Sequence, residues 1–510
     1  MKTNCRCYDK ITDAYVCLML LVFPLWKGSS GYLNITAAKY GFFLWSALVY
    51  IGLMLITAGL CLFTGKYRDT AEKGMTISPT QICILIYALL CCVSAVLSDY
   101  GSKVWLGAGR YEGVSTILLY AVIFLLVSCF GKLRKLHLYL IGAVVTINAV
   151  IGILQYLGYN PFMLYPKGYT HHDAFTLYAN AFLGTLGNID LLSAFLSLML
   201  PLLYAYYLLN EKTGLMLVPF TAGVFLLLLS GVSAGLVGIG GGLIITFPAL
   251  ANSRQRLAKV LRAGGLSFFS VAVYTCLNVT YENRIIGIHP KFGAPVAVSA
   301  VIAAALICLS HFMNRSGIKA EWNEKKAKRI RVICVIAAIA AFLVVVRAYP
   351  FSSGALSEMH RLLWGDVDAS FGSSRIQIWR QAAGLVPEHI WFGGGPDTLA
   401  ERIGFTFKRF NEVTGTMIET SIDNAHNDYL NILVNTGVIS LLAYLAAIFI
   451  AAVRTLRAGL ENKTAAVVFV ALLCYLIQML FGFSICIVSP FFWILFGLLD
   501  AALWGKRIMR

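Results

Sequence analysis

The segment Ser421–Ser440 (SIDNAHNDYLNILVNTGVIS) places a histidine and an asparagine where a polar stretch meets a hydrophobic helix. His426 can accept a proton or hold a hydroxyl group by a hydrogen bond, because imidazole titrates near neutral pH. Asn427 offers both a donor and an acceptor, so it either orients a polar substrate or caps the helix. Polar, titratable residues at the mouth of a membrane helix are costly to keep there. The pair therefore predicts a functional site.

Two arginines have the chemistry to bind phosphate. Arg375 precedes Trp379 by four residues, so the two side chains share one face of a predicted helix. A guanidinium group is always charged and its fork matches phosphate oxygens; the alternative is an arginine that snorkels at the membrane interface. Arg110 lies between Gly109 and Tyr111 in a tight predicted loop. It is either a second phosphate ligand or an interfacial anchor.

Carboxylates and further histidines complete the candidate residues. Asp423 is the expected partner that orients His426, because Asp428 faces another direction on the helix. The run His171–His172–Asp173 has no other ligands at metal spacing, so a plain loop is the preferred interpretation and no metal site is predicted. Asn188 and Asp190 begin a helix, where capping and substrate contact are equally plausible.

Composition indicates a membrane protein. Hydrophobic residues make up 59% of the chain and charged residues 13%, with a mean hydropathy of +0.77. About fourteen apolar segments are long enough to approach or cross a bilayer. The net charge of +17 comes from basic clusters between these segments, which is the positive-inside pattern and excludes a nucleic-acid footprint as its cause. The predicted fold is all-α and polytopic, without a cleaved signal peptide.

If successive apolar segments cross the membrane in alternating directions, the chain divides into three regions. Residues 1–347 form a transmembrane helical bundle, residues 348–426 form an extracytoplasmic loop that carries site residues, and residues 427–510 form the last transmembrane helices. The long loop contains several aromatic residues and an amphipathic helix ending near Pro387, so it is expected to be structured. The glycine run at 235–242 is expected to serve close helix packing.

Four motifs resemble the O-antigen ligase/polymerase superfamily of bacterial membrane glycosyltransferases. They are WLGAGRYEG at Trp105–Gly113, GTLGNIDLL at Gly184–Leu192, the Arg-x-x-x-Trp … Gly-x-Gly segment at Gly372–Gly395, and the His-Asn … Gly segment at Ala425–Ser440. Each motif is weak alone, but their order, spacing and common predicted outer placement make the set specific. The resemblance spans roughly residues 100–450.

The resemblance implies a reaction and a set of roles. A glycan is transferred from a polyprenyl diphosphate to a hydroxyl of a glycan or lipid-linked glycan acceptor, at the outer face of the cytoplasmic membrane, with neither metal nor cofactor. His426 and Arg375 are then the catalytic residues, and Arg110, Asn427, Trp379 and Asp423 bind substrate. Besides its substrates the protein contacts membrane lipids, and no nucleic-acid partner is expected.

Two departures from the family pattern bear on the choice of reaction. Ligases often carry an arginine in the hairpin between two central helices, where this chain has Val232–Ser233–Ala234–Gly235; Ser440 also replaces the usual residue three positions after Gly437. Both favour a polymerase of lipid-linked repeat units. Transfer of the finished glycan to a different acceptor, as in O-antigen ligases, and transport of lipid-linked glycan remain the alternatives.

Overall fold

The computed structural model describes residues 2–64, 77–107, 110–173, 180–286, 294–315, 324–349, 354–367, 372, 374–404, 406–411 and 416–504. These residues form eighteen α-helices, short 3₁₀ turns and two small hairpins. The first nine helices are α1 (Lys2–Leu25), α2 (Ile35–Phe63), α3 (Pro79–Val96), α4 (Lys103–Leu106), α5 (Val114–Phe130), α6 (Lys135–Tyr156), α7 (Ile189–Leu209), α8 (Leu217–Ser230) and α9 (Ser233–Leu250). The others are α10 (Arg254–Ile286), α11 (Ala294–Arg315), α12 (Glu324–Ala348), α13 (Gly354–Trp364), α14 (Arg375–Gly384), α15 (Leu399–Arg402), α16 (Asp428–Ala458), α17 (Lys463–Gln478) and α18 (Ser489–Trp504).

The protein is an all-α polytopic membrane protein. Within the described ranges, nine helices are long and apolar enough to cross a membrane, and four shorter apolar helices accompany them. Together with α1 they correspond one to one with the predicted hydrophobic segments. The agreement follows from the physical constraint that backbone polar groups in lipid must be satisfied within each helix.

The core surrounds helix α7, which is buried along almost its whole length. Helices α8, α9 and α17 pack around α7, while α16 packs on α3 and α18 on α5. The predicted role of the glycine run is confirmed: a Cβ atom on Gly238 or Gly242 would come within 3.0 Å of α17 atoms at Cys474. Small residues there let two helix backbones approach closely.

A buried polar network joins four helices at one end of the bundle. The Asp500 carboxylate on α18 accepts hydrogen bonds from the hydroxyls of Ser78 and Ser128, at 2.7 and 2.6 Å. Arg454 of α16 donates to the other carboxylate oxygen at 3.1 Å. Because the carboxylate is buried and fully paired, the network fixes the relative positions of α3, α5, α16 and α18.

The long loop before α16 is structured, as the sequence predicts. It contains α13, α14 and α15, and then an antiparallel hairpin that the sequence analysis did not anticipate, formed by strands Thr406–Asn411 and Thr416–Ser421. A small apolar cluster of Ala382, Leu399, Ala425 and Val434 joins this region to α16. The loop is thereby held against the end of the bundle where α16 begins.

Candidate active site

Four separate segments bring ionisable side chains together at one end of the helical bundle. Arg110 lies just before α5, Asp190 in the first turn of α7, Arg375 at the start of α14, and His426 two residues before α16. The charges of Asp190, Arg375, Arg110 and Asp423 all act on the His426 imidazole. Each of the four sequence motifs therefore contributes one ionisable residue to the same place.

His426 occupies an unusual backbone position. Its φ is +46°, a left-handed conformation that costs energy for a non-glycine residue, and its backbone N–H is held by the Asn424 side-chain oxygen at 2.8 Å. The imidazole meets the Phe483 ring edge to face, with 5.2 Å between ring centroids. Within the described chain, no hydrogen bond uses the ring nitrogens of His426. The imidazole is positioned by its backbone and by packing, which leaves the nitrogens available to a substrate.

Burial and neighbouring cations keep the His426 imidazole neutral. Burial is the largest influence and lowers its pKa to about 4, against the opposing Asp190 carboxylate. The guanidinium groups of Arg375 and Arg110 lower the pKa further, while Asp423 raises it. The imidazole is therefore neutral at physiological pH and has a ring nitrogen that can accept a hydrogen bond or a proton, although the lowered pKa makes it a weaker base than an exposed histidine.

The Arg110 guanidinium forms a two-point ion pair with Asp423. Arg110 Nε and Nη2 donate to the two Asp423 carboxylate oxygens at 2.5 and 2.7 Å. The guanidinium also lies over the Phe483 ring, 4.3 Å from its centroid. Asn424 Nδ2 donates to Asp423 as well, at 3.0 Å. Asp423, expected as the partner of His426, is thus hydrogen-bonded to Arg110 and acts on the imidazole only through its charge.

Arg375 and Trp379 carry donors that have no partner among the described residues. Arg375 Nε is buried without a hydrogen-bond partner among the described residues, although Nη1 donates weakly to the Gly372 carbonyl at 3.4 Å. The Trp379 indole N–H is likewise buried without a partner in that part of the chain. Buried donors are normally satisfied because an unmet hydrogen bond is costly. Both groups are therefore suited to a polar ligand. Arg375 and Trp379 both lie on α14, four residues apart, as the sequence predicts.

The two candidate asparagines, Asn427 and Asn188, cap helices. The Asn427 side-chain oxygen accepts from the Leu430 backbone N–H at 3.0 Å, and Asn188 accepts from the Asp190 N–H at 2.8 Å. Capping was one of the two interpretations left open for each residue. The Asn427 oxygen is engaged, and among the described residues no hydrogen bond uses its amide N–H₂ group.

Glycines of two motifs meet at a break in α16. Gly437 has φ +83° and ψ 173°, and a Cβ atom there would lie 2.2 Å from the Trp391 carbonyl oxygen. The broken helix exchanges hydrogen bonds with the glycine loop: Gly394 N–H donates to Val434 at 3.2 Å and Val438 N–H to Ile390 at 2.9 Å. Only glycine fits this close backbone contact. The loop that follows α14 is thereby attached to the helix that follows His426.

Arg402 strengthens the same attachment. Its side chain is 3% exposed and donates to the backbone carbonyls of Val434 and Leu385, at 2.9 and 3.1 Å. The sequence suggests only a general electrostatic role for this residue. The structure shows that it joins α14, α15 and α16.

Sequence reasoning missed one residue of the site and underweighted another. Phe483, between α17 and α18, touches both His426 and Arg110, but a phenylalanine in an apolar stretch carries no signal of such a role. Asp190 influences the His426 pKa more than any other charged residue does. Its position beside a motif asparagine was the available signal, and capping was an equally good explanation.

Two clusters with metal-ligand chemistry lie elsewhere. In the His171–Asp173 loop, the His171 ring contacts the Tyr165 hydroxyl and the Phe182 carbonyl, and His172 contacts the Tyr156 carbonyl, so these residues serve the loop itself. Asp13, Cys17 and His137 also come close together. Asp13 is already paired with Arg134 at 2.8 Å and His137 at 3.1 Å, which leaves little ligand capacity.

Comparison with known proteins gives a family likeness for part of the chain. A family model described as O-antigen ligase matches residues 293–445. The match runs from α11 into α16 and contains Arg375, Trp379, Asp423 and His426, but neither Arg110 nor Asp190. No curated protein matches the chain. Over residues 293–445, within a chain that is a bundle of apolar helices, the protein is therefore similar to the O-antigen ligases.

Proposed function

We propose that this protein polymerises lipid-linked oligosaccharide repeat units into a surface polysaccharide. Polymerisation takes place at the outer face of the bacterial cytoplasmic membrane, with a polyprenyl diphosphate as the leaving group. The observation that carries the proposal is that a neutral His426 imidazole lies near Arg375, whose Nε donor has no partner among the described residues. A base for the acceptor and a cation for the leaving group are the two requirements of such a transfer.

The proposed reaction uses each group once. His426 accepts the proton from the acceptor hydroxyl, whose oxygen attacks the anomeric carbon of the donor glycan. The bond from that carbon to the diphosphate oxygen breaks, with inversion at the anomeric carbon. Negative charge grows on the diphosphate and is stabilised by Arg375, in a site where low dielectric strengthens the interaction. This charge compensation is assigned to arginine rather than to a metal ion.

Arg110 has an indirect part in this scheme. Its fork is occupied by Asp423, so it contributes charge to the diphosphate site without an open donor pair. It also supplies a second cation in a protein whose central hairpin lacks the arginine common in ligases. Trp379 and Asn427 offer N–H donors to the sugar or the diphosphate.

A ligase is the second candidate, because the matched family model is described as O-antigen ligase. Two features favour polymerase over ligase. The helix junction at Gly231–Val232 lacks the arginine of ligases, and the long loop carries several aromatic residues that suit a growing glycan chain as ligand. Transport is less well supported, because the ionisable groups gather at a helix end rather than near a bilayer midplane.

Deletion of the gene separates polymerase from ligase. The expected result is loss of the long polysaccharide ladder and accumulation of single repeat units on the carrier lipid or the cell surface, seen by electrophoresis and by mass spectrometry of extracted lipids. Complementation with the wild-type gene should restore the ladder. Long polymer stranded on the carrier lipid would instead show that the protein is a ligase.

A further inference from the structure

A long, mostly apolar groove runs along the surface of the bundle between α1 and α2. Its volume of about 1460 Å³ exceeds the roughly 300–1,000 Å³ of most small-molecule pockets. On α2 the groove extends from Asn34 to Leu53, and on the side of α1 it extends from Lys10 to the turn that ends at Ser30. Helix α2 is long and apolar enough to cross a membrane, and most of its surface is exposed. The groove therefore opens towards membrane lipid.

Small residues make room for the groove, and fixed contacts hold the two helices together beneath it. The small residues along its walls include Ala14, Ala37, Ala38 and Gly41. Near one end, Lys39 donates to two backbone carbonyls at the end of α1, at 2.9 and 3.1 Å. Near the other end, the rings of Tyr15 and Tyr50 stack with 4.2 Å between their centroids. The groove is therefore formed before any ligand enters it.

The length of the groove favours a long hydrocarbon chain. Helix α2 rises about 24 Å between Ala37 and Leu53, at about 1.5 Å per residue. The hydrocarbon core of a bilayer is about 30 Å thick, so an acyl chain from one leaflet ends near the midplane, after about 15 Å. A single chain that fills the groove has to continue past the midplane. A polyprenyl chain is long enough to do so.

One end of the groove is polar and basic. The turn after α1 brings Lys27, Ser29 and Ser30 to this end, and Asn34 lies beside them. No hydrogen bond or ion pair joins Lys27 to another residue in the described part of the chain. An ammonium group with hydroxyl and amide donors beside it is a suitable partner for a phosphate. The groove thus combines a cationic end with an apolar length, which is the chemistry of a lipid phosphate.

The polar end of the groove lies beside the candidate active site. The Tyr32 hydroxyl donates to the Gly184 carbonyl at 2.6 Å, in the motif that leads into α7. From the buried face of α2, the Tyr40 ring stacks on Tyr111, next to Arg110, with 4.4 Å between centroids. Helix α2 thus lies between the groove and this segment, and a helix with its side chains is roughly 10–12 Å across. The groove and the active site are neighbours, but they are separate.

We propose that the groove binds the polyprenyl chain of the acceptor substrate, with the acceptor diphosphate at Lys27. This inference rests on the proposed polymerase function. A lipid-linked acceptor carries its reacting hydroxyl on the glycan, whereas its diphosphate is at the other end of that glycan. The acceptor carrier therefore binds away from the reacting centre, while the donor diphosphate lies at Arg375. One helix diameter is a distance that the acceptor glycan can bridge to reach His426.

Photocrosslinking tests where the chain binds. The full-length protein carries p-benzoylphenylalanine in place of Trp45, which is 68% exposed and lines the groove, and is placed in phospholipid vesicles that contain undecaprenyl phosphate. We expect an undecaprenyl adduct by mass spectrometry, about tenfold more abundant than with the same replacement of Leu60, which is 60% exposed beyond the groove. Farnesyl phosphate has the headgroup but a short chain, so it should compete poorly. Equal adducts at the two positions, or phospholipid adducts at Trp45 instead, would show that ordinary membrane lipid fills the groove and that the proposal is wrong.

Variants with matched controls test the groove and its charged end. Gly41→Trp adds an indole at a Cβ position with no atom within 4 Å, so it fills the groove without a clash and should lower the adduct about tenfold. Gly59→Trp, at an equally open position on α2 beyond the groove, should leave the adduct unchanged. Lys27→Gln should lower the adduct, and Lys10→Gln at the opposite end should not. An unchanged adduct in Gly41→Trp would contradict the proposal. Equal losses in the two lysine variants would indicate one phospholipid from each leaflet and would also contradict it.

Further measurements separate this proposal from the proposed function. Crosslinking requires no glycan transfer, so a protein without transferase activity can still form the adduct, and a protein that transfers glycan without forming it would overturn the groove proposal alone. Arg375→Ala removes the donor contact and should leave the adduct unchanged; loss of the adduct would mean that the groove holds the donor. Gly41→Trp should also slow polymerisation. Normal polymerisation by folded Gly41→Trp protein that has lost the adduct would show that the bound lipid is not the acceptor.

Discussion

At the scale of single residues, the protonation state of His426 decides the chemistry. The imidazole lies among two guanidinium groups and two carboxylates whose charges nearly cancel, so burial dominates. Sequence patterns predicted His426, Arg375, Arg110 and Asp423 as site residues, because polar residues at helix ends are conspicuous in an apolar chain, and the structure brings these four side chains together. They did not identify Asp423 as the partner of Arg110. Residues more than 300 positions apart meet only through the fold.

The lowered pKa of His426 predicts an unusual pH dependence of its reactivity. Diethyl pyrocarbonate modifies neutral imidazole, so modification of His426 should continue as pH falls below 6.5 and decline only near pH 4. In Asp190→Asn the decline should move to lower pH, because the carboxylate that raises the pKa is gone. Peptide mass spectrometry measures the rate, with the exposed His389 as reference for the reagent. A midpoint near 6.5 in wild type would contradict the burial argument.

Arg375 is predicted to need its fork and not only its charge. Arg375→Ala should lower glycan transfer by roughly 100–1,000-fold, the usual loss for one preorganised donor to a transition-state oxyanion. Arg375→Lys should recover little of it, because lysine keeps the charge but lacks the planar donors. Transfer by membranes containing each variant measures the effect. The exposed neighbour Arg380→Ala is the control and should retain wild-type transfer; full activity in Arg375→Lys would limit the role of Arg375 to charge.

At the scale of elements, the break in α16 is what holds the site together. Two glycine motifs that look like separate signals in the sequence are two sides of one backbone contact, between the Trp391–Gly395 loop and the helix at Gly437. Sequence reasoning predicted α14 and the start of α16 because helix periodicity and capping are local properties. The contact between the loop after α14 and helix α16 depends on the bend at Gly437. That bend is set by the Trp391–Gly395 loop packed against it, and local sequence patterns do not show which segments pack together.

Gly437→Ala is predicted to separate the loop from the helix. The added Cβ atom meets the Trp391 carbonyl at 2.2 Å, in a backbone conformation that strains any other residue. Strain of this kind costs on the order of 1–3 kcal/mol, and the clash adds to it. The expected result is a lower Tm and faster proteolysis within residues 354–404. Gly459→Ala is the matched control, since Gly459 has φ +57° but open space around its Cβ position; equal effects of the two substitutions would mean that strain alone is responsible.

At the scale of the whole molecule, hydropathy determines most of the architecture. Each predicted apolar segment became a helix because lipid allows few other structures. The hairpin in the long loop was not predicted, since its strands have no clear alternation and lie outside the membrane segments. The arrangement of helices around α7 also could not be derived, because every segment is apolar on all sides and its neighbours are chosen by close packing.

The topology makes a prediction of its own. Single cysteines at Ser373 and Thr416, in a background without the thirteen native cysteines, should react with an impermeant thiol reagent in intact cells. Cysteines at Ser253 and Lys325 should react only after permeabilisation, because the basic clusters near them are expected in the cytoplasm. Labelling of the Lys325 position in intact cells would reverse the orientation and place the site on the wrong side for an outer-face transferase.

The most direct measurement of the central claim is glycan transfer by the purified protein in lipid nanodiscs, supplied with a polyprenyl-diphosphate-linked repeat unit. Product is followed by electrophoresis for wild type, His426→Ala and His389→Ala, a control histidine exposed on the loop. With His426 as the base for the acceptor hydroxyl, His426→Ala should reduce transfer by about 100-fold or more at unchanged Tm, while His389→Ala remains active. Near-normal product from folded His426→Ala protein would contradict the account.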